Sequence, residues 1–416
     1  MAESEGAVAT ATTRYNPRLD GVRTVAIGLV MLSHYGLAFA PYLPGGNVGV
    51  RIFFVLSGFL ITGILVDVRN RAEAVGQRVT ITLRQFYARR ALRIFPCYFL
   101  AIGIALAANL SNARELWPWL VTFTGNWYMA LTGGGMGHLS PYWSIAVEEQ
   151  FYLLWPWLLL LLPARKLPWL YPVAITASVA TRLFGGFLGL HEMFLYTSTL
   201  TAIDALALGG WMATTERIKG LRTFSLWAGV GGSLILYAAK VANGLSGIPL
   251  QLYEMSSAIL GAWLILEAVE PRGFVGKMLA LKPAVYLGRI SYGIYAYHML
   301  IYGLTGMLLL RLGISWDRNE IARIIGMTFA SFAFAALSFH LYENPINQFK
   351  TRFPYVVNPT RPTNGLAMRD EIQAGKLPGL QQRPEQRRGA PEEHPPEAVE
   401  RPRGSVDDQA NDPAVV

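Results

Sequence analysis

An arginine and a histidine lie on one stripe of the first apolar segment, LDGVRTVAIGLVMLSH at 19–34. Arg23 and His34 are eleven positions apart, about 1100° of helical rotation, so on a helix they lie within roughly 20° of one face and about 16 Å apart. No charged residue separates them. Because an ionisable side chain is costly inside a bilayer, one at that depth usually serves function. His34 is therefore a candidate proton carrier, and the alternative is a histidine held by a backbone carbonyl.

A second candidate is the pair of carboxylates at the start of another apolar stretch, PYWSIAVEEQFYLLWP at 141–156. Glu148 or Glu149 could orient the His34 imidazole or stabilise its charged form, as the second member of an acid–base pair. Acidic residues also favour helix N-termini for electrostatic reasons alone. A simple cap would not need the further polar side chains of this stretch, which are Trp143, Ser144 and Tyr152.

Three arginines lie within one helical turn in RQFYARRALRIFP at 84–96. Part of the charge at Arg89, Arg90 and Arg93 is what cytoplasmic loops of membrane proteins usually carry. Guanidinium groups on adjacent turns also suit a phosphorylated ligand, because each binds phosphate through two parallel hydrogen bonds. The cluster is therefore a candidate phosphate site, with ordinary loop charge as the alternative.

Other polar residues stand inside apolar segments, where a charge needs a partner. Ser291 and His298 are seven residues apart, about two turns, and so share a helix face. Asp204 is isolated in LTAIDALALGG, and Arg182 is its candidate partner. A structural network and a catalytic role stay open for both sets. The remaining candidates for substrate contacts or a polar network are Asp20, Arg51, Trp143, Ser144, Glu149 and Tyr292.

Small residues in the second apolar segment leave room for another group to approach closely. Arg51 stands at the outer end of this segment, and Ser57 and Gly58 follow inside it. Such small side chains let a neighbouring backbone or a thin ligand chain approach closely. Packing alone explains them equally well.

The composition indicates a membrane protein. Of 416 residues, 52% are hydrophobic and only 15% charged, whereas soluble domains carry about a quarter charged residues. The net charge of +9 is spread over short loops beside apolar segments, so it does not indicate nucleic acid. A single cysteine, Cys97, excludes an internal disulfide framework, and the six histidines have no metal-ligand spacing.

Ten long apolar stretches predict an all-α, polytopic membrane bundle of about ten transmembrane helices. An eleventh stretch, 117–131, is interrupted by polar residues. If it does not span, the basic loops fall on the side of the N-terminus, and the loops opposite hold no Lys or Arg, apart from 311–322. We therefore expect a multi-pass plasma-membrane (inner-membrane) protein with both termini cytoplasmic, and a re-entrant or surface segment at 117–131.

The expected domain plan is a cytoplasmic N-terminal tail at 1–18, a membrane domain at 19–350 and a cytoplasmic C-terminal tail at 351–416. The last segment is rich in Pro, Gln, Glu and Arg, and after Tyr355 it has hardly any aromatic residue, so it is expected to be disordered. Residues 1–18 are polar and small, which does not fit a cleavable signal peptide.

Several motifs together resemble the membrane acyltransferase-3 family. They are the arginine-to-histidine spacing in LDGVR…SH, FFVLSGFLIT at 53–62, ARRALRIFP, WSIAVEEQFYLLWP and GRISYGIYAYH at 288–298, in the family's order. The resemblance covers roughly residues 15–350. It is similar to the stand-alone members that O-acylate cell-surface glycans, glycolipids or secondary metabolites, without the extracytoplasmic SGNH-type domain that other members carry.

The resemblance implies an acyltransferase (EC 2.3.1.-) that takes an acyl group, commonly acetyl, from cytoplasmic acyl-CoA. That co-substrate and the glycan or glycolipid acceptor are the expected partners, with the lipid bilayer, and no permanently bound cofactor or metal is expected. Carried over residue by residue, the resemblance makes His34 catalytic, with Arg23 as its partner in the motif. Arg90 and Arg93 match the family's RxxR motif, which is implicated in holding the CoA phosphates. Glu148 takes the acidic position of the VExQFY motif. Arg51 departs from the family, because many relatives carry an acidic residue there.

The mechanism expected from these residues has two routes. His34 removes the proton of the acceptor hydroxyl as it attacks the thioester, aided by Glu148, or a transient acyl-histidine forms. Two interpretations from other classes remain: a glycolipid or polysaccharide transporter or flippase without acyl transfer, and a non-catalytic membrane scaffold or sensor.

Overall fold

Helices make up nearly all of the described chain. The structure, a computed structural model, describes residues 15–35, 46–215, 220–243, 248–271, 273–314 and 320–356, and no strand occurs in them. The expected all-α class is confirmed over these ranges. The helices are α1 (Pro17–His34), α2 (Gly46–Ala74), α3 (Val79–Ala108), α4 (Ala113–Val121), α5 (Gly125–Thr132), α6 (Tyr142–Leu161), α7 (Leu167–Phe187), α8 (Glu192–Thr197), α9 (Thr199–Thr214), α10 (Leu221–Leu226), α11 (Gly232–Asn243), α12 (Ile248–Val269), α13 (Phe274–Met278), α14 (Lys282–Arg311), α15 (Glu320–Ser338) and α16 (Asn344–Gln348).

Five helical stretches are long and apolar enough to cross a membrane, judged by length and composition. They are Gly46–Ala74, Val79–Ala108, Leu252–Val269, Lys282–Arg311 and Glu320–Arg352. This indicates a membrane protein, although the expected count of about ten spans is not confirmed. Helix α1 is not among them, because it contains three charged residues, Arg18, Asp20 and Arg23, within 18 residues.

The stretch 117–131 is divided between two short helices. Helices α4 and α5 have 9 and 8 residues, so each is about 12–14 Å long, far less than the roughly 30 Å hydrocarbon core. At the break, Phe123 has a positive φ of 54°, and its carbonyl accepts a hydrogen bond from Gln150 at 2.8 Å. The Tyr98 hydroxyl likewise donates to the Leu120 carbonyl at 2.8 Å. Protein thus supplies the partners that a non-helical backbone at membrane depth requires.

Glycines let the helices that frame the bundle cross at backbone contact. A Cβ added to Gly58 of α2 would lie 1.8 Å from the Leu206 carbonyl oxygen of α9, and one on Gly209 would lie 1.9 Å from the Val55 carbonyl oxygen. Of the two alternatives for Gly58, a neighbouring backbone or a ligand chain, the structure shows the backbone of α9. Helices α1 and α14 cross in the same way, since a Cβ on Gly288 would lie 1.9 Å from the Asp20 carbonyl oxygen. These crossings fix the positions of α1, α2 and α14 relative to their neighbours.

Gly58→Ala is expected to destabilise the protein by about 1–3 kcal/mol, because the added methyl group has to push α9 away from α2. Thermal unfolding of the detergent-purified protein measures this change. Gly103→Ala is the matched control: nothing lies within 4 Å of its Cβ position, and alanine is the better helix former by roughly 0.5–1 kcal/mol. Equal melting temperatures for the two variants would contradict the close crossing.

Several expected segments lie wholly or partly outside the described residues. They are most of the N-terminal tail 1–18, most of the C-terminal tail 351–416, and parts of the loops 41–47, 217–222, 243–249 and 311–322. The described residues all belong to one compact unit.

Candidate active site

A cavity of about 790 Å³ lies among α1, α2, α3, α6, α14 and the segment 339–355. Its lining follows α2 from Val50 to Arg71, which is about 30 Å along the helix axis. The cavity is therefore deep and narrow, and side chains from both ends of the bundle border it.

The end near Arg71 is strongly basic. The lining contains seven basic and four acidic side chains: Arg23, Arg71, Arg89, Arg90, Arg93, Arg289 and Lys350, with Asp20, Asp67, Glu148 and Glu343. Arg71 forms an ion pair with Asp67. Arg89 donates to the carbonyls of Lys350 at 2.9 Å and Phe353 at 3.1 Å, and it stacks on Tyr355 with 4.4 Å to the ring centroid. Arg89 thus anchors the C-terminal segment at this end of the cavity.

Asp20 is a buried carboxylate in the same wall. It forms an ion pair with Arg23, and the Tyr15 hydroxyl donates to it at 2.7 Å. Arg289 in turn donates to the Tyr15 oxygen at 2.8 Å. Partial burial and the hydrogen bond to Asp20 raise the pKa of the Tyr15 hydroxyl, so it stays protonated and donates. Asp20 therefore neutralises Arg23 and links the chain before α1 to α14.

Arg90 and Arg93 lack carboxylate partners within the described part of the chain. Arg90 lies over the rings of Phe86 and Tyr152, each 5.6 Å from the guanidinium carbon, and its buried Nε has no hydrogen-bond partner. The Arg93 side chain lines the cavity and remains accessible from it. Two guanidinium groups with unused donors in a cavity wall make a site for an anion, and for phosphate in particular.

Halfway along the cavity stands Glu148 of α6. Its carboxylate accepts a hydrogen bond from Ser57 at 2.8 Å, and the Tyr152 hydroxyl lies 3.3 Å from its other oxygen. The expected contact between Glu148 and His34 is not among its hydrogen bonds. Glu149 forms no hydrogen bond or ion pair with described residues and does not line the cavity.

Ser291 and Tyr292 of α14 also line the cavity. The Tyr292 hydroxyl is buried and has no hydrogen-bond partner within the described ranges. Because buried polar atoms in folded proteins are nearly always paired, an orphaned hydroxyl in a cavity wall suits a bound molecule that supplies the partner.

At its inner end, away from Arg71, the cavity is lined by a layer of two aromatic rings, Phe53 and Tyr295, which meet edge to face with centroids 6.2 Å apart. The Tyr295 hydroxyl donates to the Pro141 carbonyl at 2.9 Å and lies 2.6 Å from the Ser144 Oγ. Trp143 is buried behind this layer, edge to face with Phe54. Sequence reasoning did not single out Tyr295, although it lies within GRISYGIYAYH.

His34 pairs with a second histidine directly behind that layer. Its Nδ1 is 2.8 Å from the Nε2 of His298, and the two rings stack with centroids 5.0 Å apart. His298 is fully buried, and its ring centroid is 5.5 Å from that of Tyr295. The structure thus gives His34 the partner that the sequence assigned to Glu148. Neither imidazole lines the cavity, which ends one side chain away.

Among the described residues, no three His, Cys, Asp or Glu side chains group as metal ligands. A family model described as an acyltransferase domain matches residues 16–340. The chain belongs to the acyltransferase-3 family. The resemblance that its motifs suggested is thereby confirmed.

Three bacterial relatives show how far the likeness of this acyltransferase-3 protein extends. It is 30% identical to the peptidoglycan O-acetyltransferase OatA of Listeria monocytogenes, over 81% of this chain and 57% of that protein. It is 27% identical to the putative peptidoglycan O-acetyltransferase YrhL of Bacillus subtilis, over 80% and 55%, and 28% identical to the O-acetyltransferase OatA of Staphylococcus aureus, over 68% and 50%. The chain spans about half the length of these relatives. No solved structure matches it.

The acyltransferase-3 motif position occupied by Arg51 belongs to a buried charge network. Arg51 donates to Asp204 at 3.0 Å and to Glu254 at 2.5 Å, and Arg182 donates to Asp204 at 2.6 Å. The predicted partnership of Asp204 with Arg182 is confirmed. Arg51 does not line the cavity. The arginine that stands where many relatives carry an acidic residue therefore belongs to a network that joins α2, α7, α9 and α12. Glu254 was missed by the sequence reasoning, although it is also a lone acid in an apolar run.

Arg51→Met is expected to lower the free energy of unfolding by about 3–5 kcal/mol, because it leaves Glu254 buried without its cation. Thermal unfolding in detergent measures the loss. Arg71→Met is the control, since Arg71 and Asp67 form an exposed pair whose removal costs at most about 1 kcal/mol. A loss for Arg51→Met no larger than the control's would contradict the network's structural importance.

Proposed function

We propose that this chain is an integral-membrane O-acetyltransferase that carries acetyl from acetyl-CoA to a hydroxyl group of a cell-envelope glycan. The observation that carries the proposal is one cavity with two arginines toward its basic end and the His34–His298 pair one side chain beyond its other end. Those arginines, Arg90 and Arg93, have no carboxylate partner among the described residues. The names of the relatives, peptidoglycan O-acetyltransferases, make peptidoglycan or its precursors the first acceptor to try.

The basic end of the cavity suits the nucleotide part of the donor. Arg90 and Arg93 have free donors for the phosphates of CoA. The orphaned Tyr292 hydroxyl and the Arg90 Nε supply further hydrogen bonds to a bound donor. The narrow path along α2 then leads the pantetheine arm toward Ser144 and Tyr295. The thioester would reach the imidazole pair when the Tyr295 ring moves aside.

His34 performs the chemistry at the inner end. Its imidazole takes the proton of the acceptor hydroxyl, whose oxygen attacks the thioester carbonyl carbon. The C–O bond of the ester forms, the C–S bond breaks, and CoA leaves as a thiolate that takes up a proton. In the second route, His34 itself first accepts the acetyl group and then passes it to the hydroxyl. Glu148 borders the donor path, where it accepts from Ser57, and in this proposal it does not act on His34.

The proposed orientation places the basic end in the cytoplasm. Tyr15 from the N-terminal region, Arg71 in the last turn of α2 and Arg289 near the start of α14 all line this end. Basic loops favour the cytoplasmic side, and acetyl-CoA is expected there. Both termini would then be cytoplasmic, with the acceptor approaching from the opposite face.

The test uses the purified chain in liposomes with radiolabelled acetyl-CoA and soluble peptidoglycan fragments. The expected result is label in ester linkage on the fragment, with release of free CoA. Protein-dependent movement of a lipid-linked glycan across the bilayer without label incorporation would overturn the proposal and support the transporter alternative. No label on any of several glycan acceptors, and no CoA-dependent change in melting temperature, would also overturn it.

A further inference from the structure

The hydrogen bonds of His298 fix which of its nitrogens carries the proton. Its Nδ1 is 2.7 Å from the backbone carbonyl oxygen of Tyr295. A carbonyl oxygen can only accept, so Nδ1 is the donor. In a neutral imidazole the other nitrogen is then an acceptor. The Nε2 of His298 therefore presents a lone pair to His34.

The same reasoning sets the tautomer of His34. Its Nδ1 is 2.8 Å from the Nε2 of His298, and because that atom accepts, the Nδ1 of His34 donates. The proton of a neutral His34 is thus held on Nδ1, and its Nε2 has a free lone pair. A Cβ added to Gly46 would lie 3.6 Å from this Nε2. The basic nitrogen of His34 therefore borders a residue without a side chain.

We propose that His298 is a positioning residue that holds His34 in the tautomer whose Nε2 is unprotonated. This inference rests on the proposed function and goes beyond it, because it names the atom that reacts. Nε2 of His34 is the base, or the nucleophile of the acyl-histidine route, on the side that faces Gly46. The Tyr295 carbonyl and His298 form a chain of two hydrogen bonds that keeps the Nδ1 of His34 protonated, so that Nδ1 does not take part in the reaction.

The same chain of hydrogen bonds persists when His34 becomes charged. After Nε2 takes the acceptor's proton, the imidazolium still donates from Nδ1 to the lone pair of His298. A hydrogen bond to the charged form stabilises it in a buried site. His298 therefore serves both before and after the proton moves, although it touches neither substrate.

Two substitutions of His298 by an amide side chain test its two hydrogen bonds separately. In His298→Gln the amide reaches the position of Nε2, so its oxygen accepts from His34. In His298→Asn the shorter amide reaches the position of Nδ1 and keeps only the Tyr295 contact. We expect the Asn variant to lose about 100-fold in kcat, with KM for acetyl-CoA unchanged, because loss of the orienting partner leaves the wrong tautomer. The Gln variant should stay within about tenfold of wild type.

The experiment measures label transfer to peptidoglycan fragments by the full chain in liposomes. His298→Phe is included as a variant without either hydrogen bond, and it should match the Asn variant. His340→Phe is the matched control, because His340 is exposed and contacts Tyr286 rather than His34. Melting temperatures of all variants establish that they fold.

The outcomes separate this inference from the proposed function. If the wild-type chain transfers no label, the proposed function fails. If the wild type transfers label and the Asn and Gln variants are equally active, or if the Asn variant raises KM while kcat is unchanged, the tautomer assignment is wrong although the function stands. A kcat loss in Asn and Phe that Gln largely restores supports it.

Discussion

His34→Ala should reduce acetyl transfer by about 10³-fold or more while the bundle remains folded. The substitution removes the base of the proposed reaction, and general acid–base catalysis by a positioned side chain contributes roughly 10²–10⁴-fold. It also removes the nucleophile of the alternative acyl-histidine route, so both routes predict the same loss. The initial rate of label incorporation measures the change.

The binding of the donor should survive this substitution, because the basic end of the cavity is untouched. CoA should therefore raise the melting temperature of His34→Ala as it does for the wild type. His340→Ala, which replaces an exposed histidine, serves as the control for losing an imidazole. Near-wild-type transfer by a folded His34→Ala protein would place the chemistry at another residue.

The second large effect is expected for the double substitution Arg90→Ala and Arg93→Ala. These two guanidinium groups have no carboxylate partner among the described residues, so their charge is available to an anion. Hydrogen bonds to charged groups contribute about 1.5–3 kcal/mol each, and losing two should raise KM for acetyl-CoA about 100-fold or more. Because the inner end is unchanged, kcat at saturating donor should fall much less.

A direct measurement of CoA binding tests this prediction without an acceptor. The concentration of CoA that raises the melting temperature should shift by a similar factor, and the affinity of wild type should weaken with salt. The matched control is Arg165→Ala with Lys166→Ala, which removes two exposed basic side chains that do not line the cavity. Unchanged CoA affinity in the Arg90 and Arg93 variant would exclude these residues as the phosphate site.

Much of the architecture could be predicted because local patterns determine it. Apolar length and low charge predict membrane helices, and a lone buried acid predicts a nearby base, which led to the pairing of Asp204 with Arg182. The small residues Ser57 and Gly58 indicated a close approach, and a neighbouring backbone was one of its two possible sources. These inferences need only helical periodicity and the cost of burying charge.

The centre of the site depends on contacts between distant helices, which the spacing of residues along the sequence does not reveal. His34 and His298 are 264 residues apart in the chain, and their meeting depends on how α1 and α14 rotate as they cross at Gly288. Glu148 meets Ser57 instead, through the packing of α6 on α2. For Arg51 the sequence left a substrate contact and a polar network open, and two acids on different helices place it in a network inside the bundle.

The aromatic layer formed by Phe53 and Tyr295 has a consequence for the membrane itself. A charged cavity about 30 Å deep would be a ready conduit for protons and ions if it were continuous through the protein. The Tyr295 ring, held by the Ser144 hydroxyl and the Pro141 carbonyl, stands with Phe53 between the cavity and the imidazole pair. In the proposed orientation, this layer would shut the cytoplasmic donor path off from the imidazole pair whenever no acyl group is passing. An acyl group could then reach the far side of the layer without leaving an open path for ions.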